Sequence, residues 1–150
     1  MVLEEKFLVK APVQKVWDFL MNPAELCACI PGCEKVEPID ERSYASVVKV
    51  KVGPLSATFE FNTEITEMSP PFHLKSVGSG ADIRKLGNFR QETVVDFREI
   101  SPGETEIYYR SEVQVVGKLA TFGEKVMRAK AKQLGQEFVN AVRTRVEDVA

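Results

Sequence analysis

The stretch Leu55-Ser56-Ala57-Thr58-Phe59-Glu60-Phe61-Asn62-Thr63-Glu64-Ile65-Thr66 decides the fold. In an extended chain Leu55, Ala57, Phe59, Phe61, Thr63 and Ile65 share one face, and Ser56, Thr58, Glu60, Asn62, Glu64 and Thr66 share the other. Side chains of a strand alternate, so this is a strand with one face on a core and one in water, as antiparallel sheets have. Just upstream, Tyr44 to Val52 repeats the pattern: Tyr44, Ser46, Val48, Val50 and Val52 oppose Lys49 and Lys51. Gly53-Pro54 makes the tight turn between the two.

Further strands extend the pattern on both sides. Glu34 to Ile39 precedes a turn at Asp40-Glu41-Arg42. Ser69-Pro70-Pro71 breaks the central strand, and a short strand, Phe72 to Val77, follows. Gly78 to Asn88 reads as glycine-rich and irregular. Phe89 to Ile100 and Glu104 to Val116 form a hairpin about Ser101-Pro102-Gly103. In the last strand Thr105, Ile107, Tyr109, Ser111, Val113 and Val115 share a face.

The ends of the chain differ. Leu3 to Lys10 reads as a first strand, closed by Ala11-Pro12. Val13, Val16, Trp17 and Leu20 follow at helical spacing, with Pro12 where a helix can begin. Asn22-Pro23 breaks that helix, and a second short one, 23–30, carries Leu26, Cys27 and Ile30. From Lys118 the apolar period returns to that of a helix: Leu119, Phe122, Val126, Met127, Leu134, Phe138, Val142 and Val146. A helix of about 30 residues spans roughly 45 Å, enough to cross a sheet. The fold class is therefore α+β, one domain over residues 1–150: about seven strands in a curved antiparallel sheet, two short helices after the first strand, and a long C-terminal helix. A straight helix laid in a twisted sheet leaves part of the hollow unfilled, and the gap is the natural place for a ligand.

Composition sets limits on function. The chain has 150 residues, 44% hydrophobic and 28% charged, and a formal net charge of −2. No domain-wide basic field is available to neutralise phosphates, which argues against nucleic acid as a partner. Charge is uneven: Lys118, Lys125, Arg128, Lys130, Lys132, Arg143 and Arg145 outnumber Glu124, Glu137, Glu147 and Asp148 in the C-terminal segment. That basic stretch is either a solvated helix face or a surface for an acidic partner or anionic headgroups. No apolar run is long enough to span a membrane, and Met1-Val2-Leu3-Glu4-Glu5-Lys6 lacks the pattern of a signal peptide, so a cytoplasmic location is expected.

The chemistry-bearing residues are few. Cys27, Cys29 and Cys33 match no zinc spacing and are expected as buried reduced thiols, with no metal site. His73 is the only histidine and is expected at the surface or a strand edge. Gly78-Ser79-Gly80 lacks the register of a dinucleotide fingerprint and reads as a rim loop. Glu60, Glu64, Glu104, Glu106 and Glu112 fall on polar strand faces, as solvated charges do. No catalytic pair and no cofactor site emerge. Tyr109 and Ser111 place hydroxyls on an otherwise apolar face, where a ligand carbonyl, a main-chain group or water would have to meet them.

Three motifs carry a family resemblance over essentially the whole chain. They are Cys29-Ile30-Pro31-Gly32-Cys33-Glu34, Val50-Lys51-Val52-Gly53-Pro54-Leu55-Ser56-Ala57-Thr58-Phe59 and Gly117-Lys118-Leu119-Ala120-Thr121-Phe122-Gly123. In order and spacing they resemble the carbon monoxide dehydrogenase G-subunit family, within the START and plant-allergen (SRPBCC, helix-grip) superfamily. The resemblance implies a helix-grip fold and an accessory protein of molybdenum hydroxylases, one that carries a lipophilic partner or meets the inner face of the membrane. Family members often continue into a tail linked to membrane attachment, whereas this sequence runs to Val149-Ala150. Asp82, Arg84 and Lys85 make the segment after Gly80 more charged than the resemblance implies, and are expected to narrow or re-aim a cavity mouth.

The expected function is therefore binding: a lipid- or quinone-like molecule held between sheet and helix, beside a molybdenum hydroxylase of the carbon monoxide dehydrogenase type. The expected lining is Val48, Val50, Phe59, Phe61, Phe89, Tyr109, Ser111, Val113, Phe122, Val126, Met127 and Leu134. The alternatives are a cyclase- or hydrolase-like enzyme on the same fold, marked by an inward carboxylate beside Tyr109, and a docking protein without ligand.

Overall fold

A computed structural model describes residues 1–147. Asp148, one of the C-terminal acids, and Val149-Ala150 lie outside the described residues. The order is β1 (Val2–Val9), α1 (Val13–Leu20), α2 (Pro23–Cys29), β2 (Cys33–Asp40), β3 (Ser43–Val52), β4 (Leu55–Ser69), β5 (His73–Asp82), β6 (Gly87–Ser101), β7 (Glu104–Gly117) and α3 (Glu124–Val146). The strands form one antiparallel sheet, ordered β1-β7-β6-β5-β4-β3-β2. β2 to β7 pair in chain order, and β1 returns to the edge beside β7, Val2 opposite Glu112 and Val9 opposite Thr105. The sheet curves, and register shifts between Ile65 and Glu67 and between Glu99 and Ser101 interrupt its longest strands. This is the helix-grip architecture expected.

Three expectations change. The stretch 78–82 is not a loop: β5 runs through it to Asp82. Its glycines serve close approach, because a Cβ on Gly80 would stand 2.3 Å from the Phe61 Cβ. The final helix is also shorter than expected. Lys118–Phe122 is a separate 3-10 turn, and Gly123, at φ 86°, breaks the chain direction before α3 begins. The 23 residues of α3 span about 35 Å. The 3-10 turn drives Leu119 into the core, 2% exposed.

The third change concerns the cysteines. Cys27 and Cys33 form a disulfide, with Cα atoms 5.5 Å apart, in place of the expected thiols. The turn through Ile30-Pro31-Gly32 brings them together, with the Cys33 N–H donating to the Ile30 carbonyl at 3.1 Å. Cys29 remains a buried thiol, its pKa pushed up mainly by burial.

Two apolar clusters hold helices to sheet. At one end Val9, Val13, Val16, Trp17, Phe97, Ile107, Val142 and Val146 pack together, with the Trp17 and Phe97 rings edge to face at 5.3 Å. There the fully buried Thr105 hydroxyl donates to the Ala11 carbonyl at 2.8 Å. At the other end Val52, Ala57, Phe59 and Leu119 are buried, with Phe61, Phe89, Phe122 and Met127 against them. The basic face of α3 partly serves the fold. Arg128 Nη1 donates to the Val2 carbonyl at 2.7 Å and Arg143 Nε to the Leu8 carbonyl at 2.9 Å, covering the exposed edge of β1. Arg145 faces Glu25 of α2 at 3.5 Å.

Candidate functional site

Between the two clusters lies a cavity of about 400 Å³, within the usual range for small-molecule sites. Most of its wall is apolar. Leu3 and Phe7 come from β1, Leu20 and Met21 from the end of α1, Leu26 and Ile30 from α2 and its cap, and Phe138 from α3. The sheet contributes Val36, Phe61, Ile65, Leu74, Val95, Phe97 and Ile107.

The middle of the sheet adds hydroxyls. Tyr44, Ser46, Thr63, Ser76, Thr93, Tyr109 and Ser111 all line the same cavity. Register explains their alignment: Ser76 opposes Thr93, and Thr93 opposes Ser111, so three adjacent strands carry one cross-strand row. Within it Thr93 Oγ1 lies 2.8 Å from Ser111 Oγ, and Thr93 also donates to Gln91 Oε1. Ser46 and Ser76 are each only 8% exposed. Among the described residues, no protein group pairs with either hydroxyl, and both face the hollow. Neither oxygen is sealed from solvent, so both open onto the hollow, where water or the polar head of a ligand can meet them.

The expected lining residues divide by place. Phe61, Tyr109 and Ser111 line the cavity. Val50, Phe59, Phe89, Phe122 and Met127 belong instead to the far cluster, where Phe89 meets Phe59 at 5.1 Å and Phe61 at 5.3 Å, edge to face. Val48 is buried on the same strand face, next to Ser46 in phase. Val113 lies beyond Ser111, beside Met1, in a shallow surface hollow. Leu134 is half-buried on α3, outside the cavity wall. Val126 is 45% exposed: it sits about 100° around the helix from Met127, which takes the inward position.

The residues not foreseen come chiefly from elsewhere in the chain. Strand alternation had already placed Tyr44, Ser46, Thr63 and Ile65 on an inward face. Ser76 and Thr93 needed cross-strand register, and the wall from α1 and α2 needed the tertiary arrangement. Asp82 is not at a cavity mouth either. It is 3% exposed, and its carboxylate accepts from the N–H groups of Thr58 at 2.7 Å, Arg84 at 2.9 Å and Leu86 at 3.1 Å. Burial works to raise its pKa, but these donors and the Arg84 charge outweigh it and hold it below the usual carboxylate value. The charges of this segment thus fasten a turn.

Tyr109 spans the gap to the helix. A Cβ on Gly135 would stand 3.0 Å from the Tyr109 hydroxyl, so the glycine gives the ring its room. Glu5 is its cross-strand partner on β1, on the same face and exposed. Burial, and then the Glu5 charge, push the Tyr109 pKa up. His73 is at the start of β5, its Nδ1 2.6 Å from Asp96, away from the cavity. A larger hollow, about 670 Å³, lies on the outer face of the sheet among Glu64, Arg90, Glu92 and Glu112. Its charged wall is well solvated, so an apolar ligand gains little by moving there.

Comparison with known proteins agrees with this architecture. A conserved protein from Geobacillus kaustophilus superimposes with a TM-score of 0.90 at 27% identity, over 97% of this chain and 95% of that one. A START superfamily protein from Mycobacterium smegmatis has a TM-score of 0.73 at 13% identity, over 99% of each chain. An aromatase/cyclase from Streptomyces has a TM-score of 0.74 at 14% identity, over 98% of this chain and 93% of that one. No curated protein matches the sequence. No helix among the described residues is long and apolar enough to cross a membrane. The sequence profile of the carbon monoxide dehydrogenase G-subunit (CoxG) matches residues 6–147, and with that span, nearly all of the sheet and α3, the chain belongs to the CoxG family.

Proposed function

We propose that the protein is a carrier that holds a lipid- or quinone-like molecule in the cavity between the two clusters and works beside a molybdenum hydroxylase of the carbon monoxide dehydrogenase type. One observation carries the ligand: a mostly apolar cavity of about 400 Å³ is crossed by a row of hydroxyls, of which Ser46 and Ser76 have no protein partner among the described residues and open onto the hollow. Apolar walls supply affinity through area removed from water, and the hydroxyls orient the polar head. Family membership supports the accessory role and the enzyme partner. A quinone suits that partner because it joins a redox enzyme to a membrane electron pool. The test is native mass spectrometry with solvent extraction, then titration with quinones and fatty acids. Retained or saturable binding of one class is expected; no binding of either class sinks the carrier reading.

A second reading has one observation in its favour. Glu5 stands opposite Tyr109, and the fold is shared with an aromatase/cyclase. Yet a tyrosine with a raised pKa keeps its proton and serves better as a hydrogen-bond donor than as a base near neutral pH. Glu5 itself is exposed to water. Turnover of a cyclisable substrate, abolished by Glu5→Gln, would favour the enzyme.

A further inference from the structure

We infer that Gln91 sets the direction of the hydrogen bonds along the cavity's β6–β7 wall, so that this wall accepts from a ligand hydroxyl and disfavours a ligand that offers only a carbonyl there. The inference rests on the carrier reading and adds the polarity of the ligand's head. Each hydroxyl has one proton. The Thr93 proton goes to Gln91 Oε1, so the 2.8 Å bond between Thr93 and Ser111 is donated by Ser111. Ser111 has then spent its proton, and toward the cavity it presents only lone pairs.

The orientation of the Gln91 amide is built into the strand beside it. Gly78 pairs with Gln91, and a Cβ there would stand 2.7 Å from Gln91 Nε2. The same point is 3.1 Å from the Asn62 carbonyl oxygen. The amide nitrogen thus lies against β5 at Gly78, and Oε1 is turned to Thr93. Gln91 therefore acts through Thr93 and Ser111, as a positioning residue. For a ligand with a ketone form and a hydroxyl form, such as a quinone and its hydroquinone, the wall retains the hydroxyl form.

The test uses three flat molecules of one shape: fluorene, 9-fluorenol and 9-fluorenone, titrated by calorimetry into the full chain. The ratio of fluorenol to fluorenone affinity in the unaltered protein is the reference, because Ser46, Ser76 and Tyr109 line the same cavity and meet either head group. Gln91→Glu keeps an acceptor for Thr93 and should keep the ratio. Gln91→Leu and Thr93→Val free the Ser111 proton and should lower that ratio about fivefold, the worth of one net hydrogen bond. Fluorene affinity, which needs no hydrogen bond, checks that each variant keeps its cavity. If the ratio survives unchanged in Gln91→Leu and Thr93→Val, the inference is overturned while the carrier reading stands. If none of the three binds, both fall.

Discussion

Along β6 every second residue faces the helix: Phe97, Val95, Thr93, Gln91, Phe89. Phe97 sits in the tight cluster around Trp17, Phe89 in the cluster under Leu119, and Thr93 between them borders the hollow. One alternation thus builds two kinds of region. Where inward residues are large and apolar, the sheet closes on the helices. Where they are serine, threonine and glycine, the sheet cannot reach α3, and space remains. The cavity is a change of side-chain size and polarity within a continuous sheet, so the two regions should respond oppositely to substitution.

The largest effect is expected at the closed end. Trp17→Ala removes a ring packed against Phe97 and should cost about 3–5 kcal/mol in chemical denaturation. A loss under about 1 kcal/mol would mean that this end is no better packed than the hollow.

Gly80→Ala is next. The added methyl meets Phe61, which borders both the hollow and the far cluster. Overpacking of this kind costs about 1–3 kcal/mol. Here the comparison is sharpened, because an added methyl that was tolerated without loss would show slack extending into the far cluster.

Acid should then act on the turn after β5. Asp82 has a depressed folded pKa, so its stabilising contribution is present above the ordinary aspartate value of about 3.8 and is lost as pH falls through the folded value. Denaturant midpoints of the protein and of Asp82→Asn should differ at neutral pH and converge toward about pH 2. A gap that stays constant with pH would contradict this role for the carboxylate.

The smallest effect on stability belongs to the hollow. Ser76→Ala removes a hydroxyl that has no protein partner among the described residues, and should leave the stability of the ligand-free protein within about 1 kcal/mol of the original. Ligand affinity should fall severalfold in the same variant. A marked loss of stability would instead show that Ser76 has a structural partner.

These contrasts also mark what the sequence could reveal. Strand alternation is local, so the inward phase of Phe59, Phe61, Tyr109 and Ser111 could be read from the residues alone. The division of those residues between cavity and cluster could not, because it depends on which strands pair at which residue. Ser76, Thr93 and Ser111 are far apart in sequence and meet only through register. The glycines at 78 and 80 resembled a loop because glycine also marks loops; their reason is crowding by Gln91 and Phe61. On α3 the apolar period was clear, but Val126 and Met127 are neighbours, and only packing chooses between them.

The most direct measurement is a chemical-shift map of the labelled protein during titration with fluorene. The account predicts that amides and methyls around Ser46, Ser76, Thr93 and Ser111 shift together and saturate, while those around Trp17, Val142 and the outer-face residues Glu92 and Glu112 stay in place. Saturable shifts centred on the outer face, or none around the four hydroxyl residues, would contradict it.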